Sequence, residues 1–521
     1  MLNTQSHELS QGTEVGYVVI QNENSDVIGQ SQVRIENGIA SGAIYLADTL
    51  KTGYYHVIAY TNYMRNLPAN NFFASQILVA NRFDIDFTNL ILKNQSYPKA
   101  SNVKSDSTFR QSLTITPSGL ILKKRDKANL IVKINEPDCD YMDLSISIIE
   151  APPVENRNTT PIYPSQSPNS IKLNTDTNGV VYLKEDKYIE MHGFLSDPTS
   201  GKGLPNRQLI LTTPDTLTNF NFARTNPKGQ FRFALSEYYT DRELFIKITD
   251  ESLNISTTKI VLTPKFQGIK PIQIFAWTID SGLINYIKRS QELIRIQKAF
   301  NKSPIQYTKK VIKASPPALY RYPEYSVYPG EYTELKNFSE ISREIIPSLK
   351  TRKSNNTYLS TFYDARFKEY LPSNPAFFVD GIFTDIASII PLNSKEINRI
   401  DIISTPWYYD NLKLWGIVSI FTKNNLWKTI TNTNGFFKIK TEGFYDYPTL
   451  NLADYTKKGN TREPDFRQLL YWNSHYHLKK DSPATFDFYT SDYAAQYLIK
   501  VSGITDKGEI IEEFMKFEVT E

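Results

Sequence analysis

PAFFVDGIFTDIASIIPLNSKEINRIDIISTPWYYDNLKLWGIVSIFTKN, residues 375–424, is the stretch from which the rest of the chain is best read. Phe377, Phe378 and Val379 make a short apolar strand. Asp380-Gly381 is a turn dipeptide whose glycine accepts the positive φ of a tight turn. Asn393 or Ser394 is placed to N-cap a short helix over Lys395–Asn398, accepting from a backbone N–H that the helix leaves unpaired. Ile400, Asp401, Ile402 and Ile403 then alternate as a half-buried strand. Gly416 to Phe421 is a second apolar strand, ended by the polar Thr422, Lys423 and Asn424. The spacing predicts a compact β-turn-α-β-β unit.

This unit resembles the plug domain of TonB-dependent outer-membrane receptors. The family pattern is an apolar strand closing in a VDG turn, a short helix with an I-x-x-I-x-V-like segment, then G-x-x-x-I-x-T-K. Asp380, Gly381, Ile397, Ile400, Ile402, Gly416, Ile417, Ile420, Thr422 and Lys423 stand where that pattern wants them. The chain departs from it at Trp407-Tyr408-Tyr409, where the family carries a Tyr-Gly pair. The resemblance implies a module that occupies or contacts a β-barrel. A receptor barrel of about 22 strands, each about 9–11 residues across the membrane, needs well over ~200 residues. Only 97 residues follow Asn424, so the plug-like unit is expected to stand alone and to meet a protein partner, an outer-membrane β-barrel among the candidates. Its candidate contact segment is Trp407–Trp415, with Trp407, Tyr408, Tyr409 and Trp415; the alternative is that these rings cap the small core.

A chain of 521 residues is expected to hold several domains. Its 33 Tyr, 29 Phe and 28 Pro favour pleated surfaces punctuated by turns, hence a mainly β fold. The net charge of +4, from 59 basic and 55 acidic residues, is too small to argue for nucleic acid. The single Cys139 forbids an internal disulfide. No window reaches about 18 uninterrupted apolar residues, the length of a membrane-spanning helix.

Outside the plug-like unit the pattern is that of β-sandwiches. Residues 1–92 carry short apolar segments between Asn37-Gly38, Ser41-Gly42 and Thr52-Gly53. Asp48–Asn62 resembles a signature strand of macroglobulin (MG2)-like domains, with His56 inside it as a packed residue. Residues 93–107 read as a linker and 108–183 as a second macroglobulin-like sandwich. Residues 188–265 resemble the carboxypeptidase-regulatory-like domain, a seven-stranded prealbumin-type sandwich, through Asp197–Asn206 and Asn226–Phe233. That family implies no peptidase chemistry, and the alternation of Phe231 and Phe233 predicts two rings on the inner face. Residues 281–332 hold one long helix, 281–300, expected to dock on a neighbouring domain, and a Tyr/Pro-rich connector. Residues 335–424 make the plug-like domain, opened by a helix over Leu335–Pro347. Residues 425–521, with Arg462–Asn473 and Phe486–Asp492, resemble a C-terminal macroglobulin-like sandwich. The architecture expected is therefore multidomain, with immunoglobulin/macroglobulin-like and prealbumin-like sandwiches plus one small α/β domain.

Catalytic motifs are missing. No P-loop, G-x-S-x-G or G-x-G-x-x-G occurs. His475 and His477, two apart on one strand, are a metal pair without a third ligand in the sequence. The thioester of larger macroglobulins has no counterpart, because Cys139 is followed by Asp140-Tyr141. No catalytic residue, cofactor or metal is expected. Taken together the domains resemble a family of Gram-negative envelope proteins, which implies a non-enzymatic binding or scaffolding protein at the outer membrane. The alternative is a macroglobulin-type protease-binding or accessory module without the thioester. The family implies a periplasmic or outer-membrane-associated location, whereas MLNTQSHELSQ lacks the features of a signal peptide. In the resembled family the first sandwich begins upstream of the position of Leu2-Asn3, so an N-terminally truncated first domain is the expectation here.

Overall fold

The computed structural model describes residues 12–521 apart from 69–70, 99–111, 154–180, 217, 250–257, 270–273, 301–304, 307–318, 333, 355–356, 410, 433–435, 445–448, 451 and 457–463. Leu2-Asn3, most of the expected linker, 154–180 of the expected second sandwich, 307–318 of the connector and Arg462-Glu463 lie outside the described residues. The chain is mainly β and multidomain, and it divides into two compact units. One comprises Met1–Asp186, Lys265–Lys310 and Phe444–Glu521; the other comprises Lys187–Pro264 and Val311–Gly443.

In the first unit, the described residues of 12–79 form a five-stranded sheet, and the second sheet of the expected sandwich is not found among the described residues. Val15–Gln21 lies at its centre between Val27–Glu36 and Gly53–Tyr60, with Phe73–Val79 beyond. Tyr54 packs with Phe87, Leu90, Ile274, Leu283 and Ile287 in an apolar cluster. Phe87 and Leu90 belong to the start of a helix, Thr88–Ser96, that occupies the first residues of the expected linker. Leu283 and Ile287 come from the long helix, Ser281–Ala299, capped by Asp280 accepting from Leu283 N at 2.9 Å. The docking expected of this helix is observed: buried Glu150 holds Arg289, and Gln297 Nε2 donates to Phe466 O at 2.7 Å.

The second sandwich corrects the expected domain plan. Tyr141–Glu150 pairs with Leu469–Lys479 on one side and with Gln496–Thr505 on the other. Lys127–Ile134 pairs with Ala484–Tyr489. Strands assigned to two domains, 108–183 and 425–521, therefore make one sandwich of a five-stranded and a three-stranded sheet. Its core joins Leu113, Leu130 and Val132 to Ile146, Ile148, Phe488, Ile499 and Val501. Alternation told each strand which face to bury; it carried no information about which strand lies beside it.

In the other unit, residues 188–265 supply six strands, one fewer than the seven expected of them, and a strand from elsewhere completes a seven-stranded sandwich. Gln230–Leu235, Ile189–Ser196 and Lys259–Leu262 make one sheet. Asn221–Arg224, Gln208–Thr212 and Glu243–Ile248 make the other, completed by Phe437–Lys440 from beyond the plug-like stretch. Phe231 and Phe233 are buried between the sheets, as their alternation predicts.

The remainder of this unit is an α/β domain around a mixed sheet, ordered Tyr325–Val327, Ile397–Ile403, Ile417–Thr422, Ala376–Val379 and Ile382–Thr384. Tyr325–Val327 pairs with Ile400–Ile402, so part of the expected connector is a strand of this sheet. The opening helix is Phe338–Ile345, capped by Asn337. No helix forms over Lys395–Asn398. Asn393 Oδ1 accepts from Lys395 N and Glu396 N, but the turn leads straight into the strand at Ile397. The short helix lies earlier, at Ile386–Ile389.

His56 is buried, and desolvation lowers its pKa below 6.5. A histidine with a depressed folded pKa takes up its proton more readily when unfolded. Stability should therefore be lost as pH falls below about 6.5. Urea midpoints at pH 7.5 and 5.5 are expected to differ more for the native chain than for His56→Gln.

Candidate functional site

The turn after Val379 organises the α/β domain. Asp380 and Gly381 have φ of 48° and 84°, the pair of positive values of a type I′ hairpin, which Asp-Gly suits. Val379 and Ile382 then face each other across the hairpin. The Asp380 carboxylate is buried and accepts from Thr422 N at 2.7 Å and from the Thr422 hydroxyl at 2.6 Å. The same hydroxyl oxygen accepts from Leu426 N at 3.0 Å, at the entry to a short helix, Trp427–Thr431. One carboxylate thereby ties a hairpin, the end of a central strand and a helix start. Lys423 N continues the tie by donating to Glu396 O at 2.9 Å, while the Lys423 side chain faces solvent.

Gly381 has a second reason to be glycine. A Cβ there would stand 2.8 Å from both Thr213 O and Asp215 N, and Asp215 N donates to Asp380 O at 2.9 Å. The prealbumin-like sandwich therefore seats directly on the turn. Gly416 is similarly constrained: with φ of 97°, its Cβ would meet the Phe362 ring at 2.5 Å and Ile403 O at 2.9 Å.

The apolar motif residues are all buried, and they divide between the two faces of the sheet. Ile397, Ile400, Ile402 and Ile420 pack with Phe338, Ile341 and Ile389 on one face. Ile417 packs with Phe378, Ile403, Ile210 and Phe220 on the other. Burial on both faces accounts for the unbroken apolar runs at 376–379 and 417–418. The sequence reading missed a polar node within this packing. Asp401 accepts from Ser326 Oγ at 2.7 Å and Tyr320 OH at 3.3 Å and pairs with Arg399 at 2.9 Å, while Thr218 donates to Ser419 Oγ at 2.8 Å. Tyr320 and Ser326 lie far away in sequence, within a Pro-rich stretch whose composition masks its strand.

The aromatic contact segment is a hairpin, Trp407–Tyr409 against Leu412–Leu414. Its alternation separates the four rings. Trp407 packs against the Phe378 cluster, and the Tyr409 ring meets Phe220 at 5.0 Å. Tyr408 points out and is 65% exposed. Lys413 Nζ lies 3.6 Å from the Trp415 ring centroid and 5.3 Å from that of Tyr408. The outward patch is therefore Tyr408 and Lys413, bordered by Trp415, which is half-buried against the α/β core, while Trp407 and Tyr409 share the inward face and Tyr409 stays 40% exposed at its rim.

Elsewhere, His475 Nε2 and His477 Nδ1 both approach Asp143 Oδ1, at 2.9 and 3.0 Å. Among the described residues no group of three or more His, Cys, Asp or Glu side chains is arranged to hold a metal ion. Cys139 is buried, and burial pushes its thiol up to about 11, which leaves little thiolate at neutral pH. No helix among the described residues is long and apolar enough to cross a membrane.

No protein-family model matches the chain, and no curated protein matches it. Among solved structures it aligns with a mutant of Salmonella alpha-2-macroglobulin at 10% identity and a TM-score of 0.22, covering 99% of this chain and 38% of that one. It also aligns with a tetra-tandem repeat from the extending region of a large adhesion protein, at 7% identity and a TM-score of 0.11, covering 100% and 97%. Alignments this loose carry no argument about the site, which rests on its own geometry.

Gly381→Ala is expected to destabilise the α/β domain by about 1–3 kcal/mol, from a strained φ and a blocked approach. Thr422→Val should cost about 1–3 kcal/mol by leaving a buried carboxylate short of a donor. Denaturant midpoints of the purified variants measure both.

Proposed function

We propose that this chain is a non-enzymatic cell-envelope protein that binds or scaffolds at the outer membrane through its plug-like α/β domain. Its partner in this reading is a protein, an outer-membrane β-barrel or transport system. The observation that carries the proposal is convergence of the motif. Residues from Asp380 to Lys423 that resemble the plug pattern meet in one sheet, with the Asp380 carboxylate closing on Thr422.

The chain has the parts of a binding protein. Its β-rich domains offer exposed loops and hairpins on rigid sheets, the usual carriers of recognition. Covalent trapping of the macroglobulin kind finds little support in Cys139, whose thiol is buried and protonated. The outward hairpin residues Tyr408 and Lys413, with the half-buried Trp415 at their border, have the Tyr, Trp and cation composition favoured at binding hot spots.

Capture by the purified, tagged full chain from outer-membrane extract, read by cross-linking and mass spectrometry, tests this. A specific β-barrel or transport component should be recovered. Tyr408→Ala should lower its recovery about five-fold or more, the weakening that accompanies loss of about 1 kcal/mol, without shifting the melting temperature. Trp407→Ala should lower the melting temperature. Recovery of no envelope protein, or equal recovery with Tyr408→Ala, would count against the proposal.

A further inference from the structure

Beside the central sheet of the α/β domain lies a small antiparallel sheet formed by Leu349–Ser354, Thr357–Asp364 and Glu369–Tyr370, with Leu349–Ser354 at its edge. Its register fixes which side chains share a face. Leu349 pairs with Phe362, and both are buried. Lys350 pairs with Thr361, Arg352 with Leu359, and Tyr363 with Tyr370, which places these on the opposite face. Lys350 and Arg352 are exposed there, as are Tyr363 and Tyr370. The two tyrosine rings meet edge to face at 5.2 Å, and Lys350 Nζ stands 5.3 Å from the Tyr370 ring centroid.

The charge of this sheet is unbalanced. Residues 349–370 hold Lys350, Arg352, Lys353, Arg366 and Lys368 against Asp364 and Glu369, a surplus of three in a chain whose net charge is only +4. Asp364 is occupied by Arg366 at 2.8 Å. Among the described residues no carboxylate makes an ion pair with Lys350, Arg352, Lys353 or Lys368.

We propose that this face binds an acidic polypeptide segment, a partner chemistry that rests on the contact-module reading above. Charge complementarity selects the acid. The polypeptide follows from spacing and from the mixed character of the face. Lys350 and Arg352 stand two residues apart on a strand, about 7 Å, which is the repeat of same-face side chains on an extended peptide. Carboxylates at alternate positions of such a peptide meet the two cations. The methylene stems of those acidic side chains, which point to the same face, lie against Leu359 and the Tyr363–Tyr370 pair. An edge strand also offers backbone groups that another polypeptide can match.

Fluorescence anisotropy on the full chain tests this with a labelled decapeptide of alternating glutamate and valine, and with its lysine–valine counterpart as control. Saturable binding of the acidic peptide is expected, weakening about tenfold or more between about 50 and 300 mM salt. It should be lost in K350E/R352E, reduced in Y363A/Y370A and kept in K133E/K228E, which reverses exposed lysines elsewhere. If K350E/R352E aggregates because the edge needs its cations, K350Q/R352Q reads the same loss. Failure of the native chain to bind, equal binding of the lysine–valine peptide, or equal loss in K133E/K228E would overturn the proposal. Displacement of the peptide by duplex DNA or a sulfated polysaccharide at lower concentration than unlabelled peptide would do so too. Each of these outcomes leaves capture of an envelope partner standing, so the two readings fail separately.

Discussion

The pairing of Tyr141–Glu150 between two strands from the far end of the chain is the constraint on which the first unit depends. Gln468 Nε2 reaches the Glu150 carboxylate at 2.6 Å across a sequence separation of 318 residues. Closing so long a loop costs about 3 kcal/mol more than closing one of about ten residues, because the entropy grows only with the logarithm of length. One or two fully buried aliphatic side chains, at about 1.5–3 kcal/mol each, offset that difference. Ile146, Ile148, Ile499 and Val501 are all fully buried in this core. Glu150 also holds Arg289, so the strand that closes the sandwich anchors the long helix as well.

The same device recurs in the other unit. Phe437–Lys440 completes the prealbumin-like sandwich only after the chain has traversed the whole α/β domain. Ile439 and Phe437 pack into that sandwich's core, and Phe436 packs against the α/β core. The Asp380-Gly381 turn makes a second connection, since its backbone bonds to the 213–215 loop. Sandwich and α/β domain are thus joined by a swapped-in strand and by a turn whose geometry tolerates only glycine. Substitution at Gly381 acts on both.

Local chemistry was largely legible in the sequence. The Asp-Gly turn, the helix read over 281–300, and the alternation of Phe231 and Phe233 follow from side-chain type and period, properties of neighbouring residues. Partnership was not legible. An alternating strand states its faces and leaves its neighbours unspecified, so 141–150 and 496–505 read as two domains. Asn393 illustrates a subtler failure. Its carboxamide accepts from backbone N–H groups two and three residues on, as an N-cap would, yet the same bonds close a turn. The β-branched Ile397 and Ile400, drawn into the core, decide for the strand. The aromatic hairpin shows the limit for sites: composition marked four rings, and only strand register separates Tyr408 from Trp407 and Tyr409.

The discontinuous sandwich also sets an order of events on the ribosome. Tyr141–Glu150 is synthesised about 320 residues before the strand at Leu469, an interval of roughly 15–60 s at about 5–20 residues per second. Throughout it, Met142, Leu144, Ile146 and Ile148 belong to a nascent strand with neither of its eventual neighbours yet made. The intervening residues include the α/β domain, whose own strands lie within about 100 residues of one another and can condense first. Completion of this sandwich is therefore gated by translation of residues 469–520, and a ribosome that stalls near residue 460 would leave a half-built core in need of a chaperone.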